Sequence, residues 1–252
     1  MNLTEAKFEY YLRMGDNSLI LGHRLSEWCG HGPILEEDIA LINVALDLVG
    51  QSRSMLDAAG KIENKGQDED QLAYHRNANQ YRNALLVEQP NGDFANTIVR
   101  QFFYDVFQFY FLNDLKTSKD EFLVAFAEKT LKEVNYHLRH SSDWLLRLGD
   151  GTEESHERCQ NAVNELWMYT GDLFDMNEVD ALLIKEGIAV DLNSIKEKWH
   201  LRVSELLQEA TLHIPENNYM QKGSKSGLHT EHLGYLLAEM QSLARSMPNA
   251  SW

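Results

Sequence analysis

The residues best suited to chemistry lie in one apolar stretch, KEVNYHLRH at 132–140. Helix-bundle proteins that hold two iron ions use a Glu-x-x-His pair, because side chains three residues apart on a helix reach one point between the helices. Here His137 follows Glu133 by four residues, and Tyr136 occupies the third position. The stretch is therefore compatible with a metal site, with a metal site that has lost its ligands, or with an ordinary helix core.

The other helices that such a site needs offer few ligands. A working centre takes one Glu from each of two helices and a Glu-x-x-His pair from each of two others. The first helix offers Asn17, a neutral amide, and the second offers Asp47, three residues before Gly50, which has no side chain. The third offers Asp105, which the surrounding aromatic residues place on an inward face. Both Glu-x-x-His motifs are thus broken, and one carboxylate is missing.

These counts predict that the centre between the helices binds no di-iron cluster. Without a cation, a buried carboxylate must be paired, protonated or hydrated, and His137, one turn beyond Glu133, is its natural partner. We therefore expect no catalytic residue and no metal or other cofactor bound by this chain. The candidate positions of the lost site are Asn17, Asp47, Gly50, Asp105, Glu133, Tyr136 and His137. The enzymatic alternative is a self-sufficient di-iron or mononuclear iron oxidase that uses Asp47, Asp105, Glu133 and His137.

Two literal Glu-x-x-His matches occur elsewhere, at Glu153 with His156 and at Glu197 with His200. Each falls in the first turn of a predicted helix, where a glutamate complements the helix dipole or completes a capping box. We interpret both as helix starts rather than metal sites.

Two further motifs have structural explanations. Cys29 and His31 are close in sequence but lack a third group that would orient a nucleophile. Lys222 and Lys225 lie in a glycine-rich loop before a helix, where backbone amides could meet an anion. The favoured interpretation of this loop is a solvated turn whose lysines balance acidic neighbours.

Hydrophobic spacing predicts an all-α fold. Four long helices are expected at about 5–28, 34–60, 94–115 and 118–149, and further helices at about 152–174, 176–186, 194–212 and 229–246. Serine and glutamate spacing suggests capping boxes at 118–121 and 194–197. Two helix pairs separated by a long crossover at 61–92 predict a ferritin-like four-helix bundle with additional C-terminal helices. We expect one domain, 1–252, with a core bundle at about 5–149 and C-terminal helices at about 152–246.

The second and third helices carry the most apolar faces. The second is apolar on two sides, and we expect its core stripe to be Leu35, Ile39, Ile42, Leu46, Val49 and Leu56, flanked by Leu41, Ala45, Leu48 and Met55. The third is crowded with aromatic residues.

Composition excludes several classes of function. The chain has 252 residues, 43% of them hydrophobic and 25% charged, which is typical of a globular protein. A formal net charge of −16 argues against nucleic acid as a partner, since that affinity depends on Lys and Arg. No apolar run approaches the ~20 residues of a membrane span. With only two cysteines and no secretory signal at the N-terminus, we expect a cytoplasmic protein without a membrane anchor.

Five blocks of the sequence are similar to one family. They are LSEWCGHGP at 25–33, LLVEQPNGDFANTIVRQFFYD at 85–105, KEVNYHLRH at 132–140, ELWMYTGDLF at 165–174 and GLHTEHLGYLLAEMQSLAR at 227–245. They resemble the C subunits of bacterial phenylacetyl-CoA 1,2-epoxidase, a multicomponent ring oxygenase of aerobic phenylacetate breakdown. The similarity covers essentially the whole chain, from Leu12 to Trp252.

The resemblance implies a ferritin-like fold and pairing with a related catalytic A subunit that carries the di-iron centre. A small B subunit and a flavin and iron-sulfur reductase complete the system, in which NADPH supplies electrons and the ring of phenylacetyl-CoA is epoxidised. This chain would be the structural, inactive subunit of the oxygenase complex, in agreement with the ligand count. On this resemblance, the anion that Lys222 and Lys225 could meet would be a CoA phosphate. Aromatic surface on its first and third helices would then be buried against the A subunit. A third interpretation is a general helical adaptor outside ring oxidation.

Overall fold

Helices account for the regular secondary structure that the computed structural model describes, at residues 1–216 and 219–247. Within these ranges the chain has no β-strand. The α-helices are α1 Leu3–Ser26, α2 Leu35–Glu63, α3 Glu69–Tyr74, α4 Phe94–Leu115, α5 Glu121–Gly149, α6 Glu153–Leu166, α7 Glu178–Glu186, α8 Leu192–Glu209 and α9 Glu231–Ser246. The all-α prediction is confirmed, and the two long helix pairs are consistent with a ferritin-like helical fold. No helix in the described ranges is long and apolar enough to cross a membrane.

Two helix starts differ from the prediction. The capping boxes expected at 118–121 and 194–197 are wrong, because aspartates cap both helices instead. Asp120 accepts hydrogen bonds from backbone N–H groups in the first turn of α5, at 3.1 and 3.3 Å. Asp191 accepts one at 3.0 Å at the start of α8. Aspartate is as good an N-cap as serine, so the serine spacing alone could not select the cap.

The chain divides into two units. Unit 1 comprises Met1–Pro90 and Gly223–Trp252 and contains α1, α2, α3 and α9. Unit 2 comprises Asn91–Lys222 and contains α4 to α8. The predicted single domain stays a prediction.

In unit 1, α1 and α2 form a closely packed helical hairpin. A Cβ atom added at Gly22 would lie 3.3 Å from the carbonyl oxygen of Ala45, and one at Gly15 would lie 2.8 Å from Leu56 Cδ2. Glycine at these two positions therefore lets the helix backbones approach each other. The apolar side chains that α2 buries include Leu41, Val44, Ala45, Leu48, Met55 and Leu56.

The other apolar side of α2 faces solvent, so most of the core stripe predicted for this helix is wrong. Its exposed members are Leu35 by 72%, Ile39 by 53%, Leu46 by 64% and Val49 by 40%. A helix that is apolar on two sides does not indicate which side packs against α1.

A buried ion pair joins α1 to the segment after α3. Arg76 donates to both carboxylate oxygens of Asp16, from Nη1 at 3.0 Å and from Nη2. The backbone N–H of Arg82 donates to the same carboxylate at 2.8 Å, and the Arg76 guanidinium lies 4.3 Å from the centre of the Tyr81 ring. From α9, Gln241 donates to the Tyr81 hydroxyl at 2.8 Å. The Asp16 carboxylate therefore lies in a buried network that connects α1, the segment after α3, and α9.

A second buried carboxylate, Glu88, connects the crossover to the start of α9. Its Oε1 accepts the Thr230 N–H at 2.6 Å and the Thr230 hydroxyl at 2.8 Å. Its Oε2 accepts Asn83 Nδ2 at 2.8 Å and lies 2.8 Å from His229 Nδ1. His229 Nε2 lies 3.0 Å from the Tyr81 carbonyl oxygen, so both ring nitrogens face acceptors. This environment favours the doubly protonated, positively charged imidazole.

The aromatic residues of α4 form the core of unit 2. The Phe103 ring packs against Trp167 at 5.7 Å and Trp199 at 5.9 Å between centroids, and Trp199 Nε1 donates to the Phe103 carbonyl at 2.9 Å. Most aromatic residues of α1 and α4 are less than 9% exposed, namely Tyr10, Tyr11, Phe102, Phe103, Tyr104, Phe107 and Phe111, whereas Phe8, Phe94, Phe109 and Tyr110 are half-buried. The chain itself therefore covers most of the aromatic surface that was expected to face a partner.

We expect Asp16→Ala to lower the free energy of unfolding by about 3–5 kcal/mol, because it leaves the Arg76 guanidinium buried without its carboxylate. Chemical denaturation of both proteins measures this loss. The control is Asp57→Ala, which breaks an exposed ion pair with Lys61 and should change stability by about 0.5 kcal/mol or less. Similar losses in the two variants would contradict a structural role of the buried pair.

We expect the contribution of His229 to stability to decrease as pH rises. Burial alone lowers the pKa of His229, but the hydrogen bond and charge of Glu88 outweigh burial and raise it above 6.5. The stabilisation is therefore fully present below pH 6.5 and is lost as pH rises through the raised pKa. His229→Gln should lower the free energy of unfolding by about 1–3 kcal/mol at pH 6 and by less at pH 9, measured by urea denaturation at each pH. A difference that does not vary with pH would contradict a charged His229.

Candidate functional site

The candidate site is built around Asp105, near the middle of α4. Its side chain is 1% exposed, so the prediction that it points inward is confirmed. Gln101, one turn earlier on the same helix, donates from Nε2 to Asp105 Oδ1 at 2.7 Å. Ser141 of α5 donates from Oγ to Asp105 Oδ2 at 2.7 Å. Two neutral donors on two helices therefore hold this carboxyl group.

His137 is the ionisable neighbour of this carboxyl group. It lies one turn before Ser141 on α5 and is 1% exposed. Burial raises the pKa of Asp105 to about 7, although the electrostatic interaction with His137 and the hydrogen bonds from Ser141 and Gln101 oppose that change. The cluster can consequently take up or release a proton near neutral pH.

The two remaining candidates on α5 lie outside the most buried part of this cluster. Glu133, one turn before His137, is half-buried. The Tyr136 side chain is 41% exposed and its ring stacks on that of His140 at 6.2 Å between centroids. Tyr136 is therefore not an inward position, because successive residues on a helix are rotated by about 100° and the buried one here is His137.

The candidates in unit 1 have different surroundings. Asn17 is half-buried, and its Oδ1 accepts the backbone N–H of Ala84 at 2.7 Å, so it supports the crossover segment. Asp47 is half-buried. Gly50 is exposed, and a Cβ atom added there would meet no atom within 4 Å. Gly50 is therefore not an inward position either.

These residues do not fit a di-iron centre. Such a centre needs carboxylates and histidines from four helices around one point. Among residues 1–216 and 219–247, no three or more His, Cys, Asp or Glu side chains are grouped so that they could hold a metal ion. In unit 2, an amide and a hydroxyl occupy the two oxygens of Asp105 that a metal would use.

The two literal Glu-x-x-His matches have structural roles. Glu153 lies in the first turn of α6, as expected, and His156 Nδ1 is 2.7 Å from the Gly149 carbonyl oxygen at the end of α5. His200 Nδ1 is 3.3 Å from Ser204 Oγ, one turn later on α8. Both histidines therefore satisfy hydrogen bonds at or within helices.

The candidate residues in loops are ion-paired, half-buried or exposed. Lys222 Nζ forms an ion pair with Asp175 at 2.9 Å, which agrees with a lysine that balances an acidic neighbour. Lys225 is half-buried in the short 3₁₀ segment Ser224–Ser226. Cys29 and His31 are both exposed in the turn after α1.

Helical spacing did not predict the buried pairs of unit 1, Asp16 with Arg76 and Glu88 with His229. Their partners are 60 and 141 residues apart, beyond the reach of that spacing. One signal was available for Glu88, which is a single charge directly after the apolar run ALLV at 84–87. A charge in that position is rarely buried unless it is paired.

Sequence similarity identifies the family to which this helical protein belongs. The sequence profile described as phenylacetic acid catabolic protein matches residues 2–252, so the chain belongs to that family. It is 49% identical over 243 residues to the C subunit of 1,2-phenylacetyl-CoA epoxidase from Escherichia coli strain K12. That alignment covers 96% of this chain and 98% of the relative. The resemblance to C subunits predicted from the sequence is confirmed.

We expect Asp105→Asn to stabilise the protein at alkaline pH. A pKa raised from 3.8 to about 7 means that the native state opposes ionisation, so this group lowers stability as pH rises from about 4 to 7. At pH 8 the free energy of unfolding of the variant should be roughly 2–4 kcal/mol higher than that of the unaltered chain, and this difference should vanish near pH 4. Urea denaturation across this range measures it.

The control for this prediction is Asp114→Asn, a change at a more exposed aspartate of α4. It should alter stability by less than about 1 kcal/mol at each pH. Loss of stability in Asp105→Asn at pH 8 would mean instead that the site requires a charged carboxylate.

Proposed function

We propose that this chain is the non-catalytic structural subunit of a multicomponent phenylacetyl-CoA 1,2-epoxidase and that it binds and stabilises the catalytic di-iron A subunit. The Escherichia coli relative is named as one subunit of an epoxidase, which supports membership of a complex. The single observation that carries the non-catalytic role is the Asp105 cluster. Its carboxyl group is held by Gln101 and Ser141, where a metal centre would need further carboxylates and histidines.

The same proposal defines the other components. A small B subunit, a flavin and iron-sulfur reductase, NADPH and the substrate phenylacetyl-CoA would act in the assembled oxygenase. This chain would supply neither the metal nor the electron-transfer groups. Contact of Lys222 and Lys225 with CoA phosphates stays a prediction, and Lys222 would have to leave Asp175 to make it.

Iron content and association test the proposal together. We expect the purified chain alone to contain far less than one iron per copy, because its described residues offer no complete ligand set. Co-expressed with the A subunit, it should elute in size-exclusion chromatography as a hetero-oligomer with about two irons per A subunit. Asp105→Asn should leave both the complex and its iron unchanged.

The contrary result is equally specific. About two irons in the isolated chain, lost in Glu133→Ala or Asp105→Asn, would favour a self-sufficient iron oxidase. Failure of the unaltered chain to associate with the A subunit would favour a helical adaptor outside ring oxidation.

A further inference from the structure

One side of α2 is apolar and exposed, and its residues are spaced as in a helix-helix interface. We call this side the α2 face and define it as Leu35, Ile39, Ile42, Leu46, Val49 and Gly50. The first five follow one another at intervals of four, three, four and three residues, which is the heptad spacing of helices that pack along their length. They extend over roughly 21 Å at 1.5 Å per residue. Exposed apolar surface arranged in this way is typical of an interaction site.

Gly50 gives an independent reason to expect a close neighbour. Glycine inside a helix costs about 0.5–1 kcal/mol relative to alanine, and the close approach of another backbone is one feature that offsets this cost. Gly15 and Gly22 of α1 have that contact, because α2 lies against them. At Gly50 an added Cβ atom would meet nothing within 4 Å in the described part of the chain. The missing side chain therefore leaves space for a backbone from outside the chain.

The charges around the α2 face select the kind of partner. Glu36, Asp38 and Asp47 lie along its edges, whereas Arg53 is already paired with Glu69 at 3.2 Å. A second copy of this chain, with its formal charge of −16, would place the same acidic edges against each other and be repelled. A helix whose apolar stripe is flanked by Lys or Arg would be attracted.

We infer that the α2 face docks an amphipathic helix of another protein, which carries basic residues beside its apolar stripe and passes close to Gly50. The identity of that protein rests on the proposed function, by which the helix belongs to the catalytic A subunit. Docking covers the leucine and isoleucine side chains that the isolated chain leaves in water, so it stabilises the complex by apolar burial.

The test uses full-length variants co-purified with the A subunit. Leu46→Gln and Gly50→Gln place polar groups on the α2 face and keep good helix formers at both positions. Each should weaken the affinity for the A subunit by at least about tenfold and leave the melting temperature of the isolated chain unchanged or higher. The matched control is Leu201→Gln on α8, which changes a leucine that is 61% exposed, close to the 64% of Leu46, and should bind normally.

Gly50→Ala separates binding from folding. Alanine should raise the melting temperature of the isolated chain, yet weaken the complex by filling the space that the partner needs. A role in folding alone would move both properties in the same direction. Affinity of the unaltered chain should also decrease as salt is raised, because salt screens the attraction between acidic and basic edges.

Several results would overturn the inference. Normal binding by both Leu46→Gln and Gly50→Gln would exclude the α2 face, while the proposed function would stand if the unaltered chain still bound the A subunit. A lower melting temperature of isolated Leu46→Gln would show that the chain itself covers this face. A homodimer that depends on Leu46 would identify a second copy as the occupant. If the unaltered chain and the A subunit do not associate, the proposed function fails as well.

Discussion

Burial of carboxylates is the constraint on which much of this structure depends, since an ionised group removed from water must be compensated. The protein uses three kinds of compensation. A guanidinium neutralises Asp16, while backbone, hydroxyl and imidazole donors surround Glu88. Asp105 receives two neutral donors and lies near a histidine, but these do not offset its burial, so burial raises its pKa to about 7. The first two arrangements join distant segments of unit 1, and the third joins the two longest helices of unit 2.

On the proposed function, Asp105 occupies the position of a metal ligand in a subunit that holds no metal. A cation would satisfy several carboxylates at once, whereas the Gln101 amide and the Ser141 hydroxyl satisfy one. The cluster contributes hydrogen bonding between α4 and α5. On the proposed function, this difference separates the two subunits of the epoxidase, because the A subunit holds the two irons and this chain binds and stabilises it.

Helical spacing predicted most of the fold, and for physical reasons it left other parts unresolved. The bounds of α4 were predicted correctly, and so was the inward direction of Asp105, because its aromatic neighbours leave a single possible core face. For α2 the spacing gave two apolar faces, and the one selected proved to be exposed. On α5 the sequence indicated both Tyr136 and His137, and of these two only His137 is buried. The pairs Asp16 with Arg76 and Glu88 with His229 depend on tertiary contacts that periodicity does not encode.

Unit 1 is formed from two separate segments of the sequence, and this affects folding during synthesis. Its segments come from both ends of the sequence, with Gln241 of α9 bonded to Tyr81 and His229, just before α9, paired with Glu88. On the ribosome, residues 1–90 emerge first and must wait for 223–247, while all of unit 2 is synthesised in between. During that interval Glu88 lacks its histidine and threonine donors. A transcript or protein cut short before residue 223 would leave this carboxylate permanently without them, so quality-control proteases would meet an incomplete N-terminal unit beside a unit 2 whose sequence is complete.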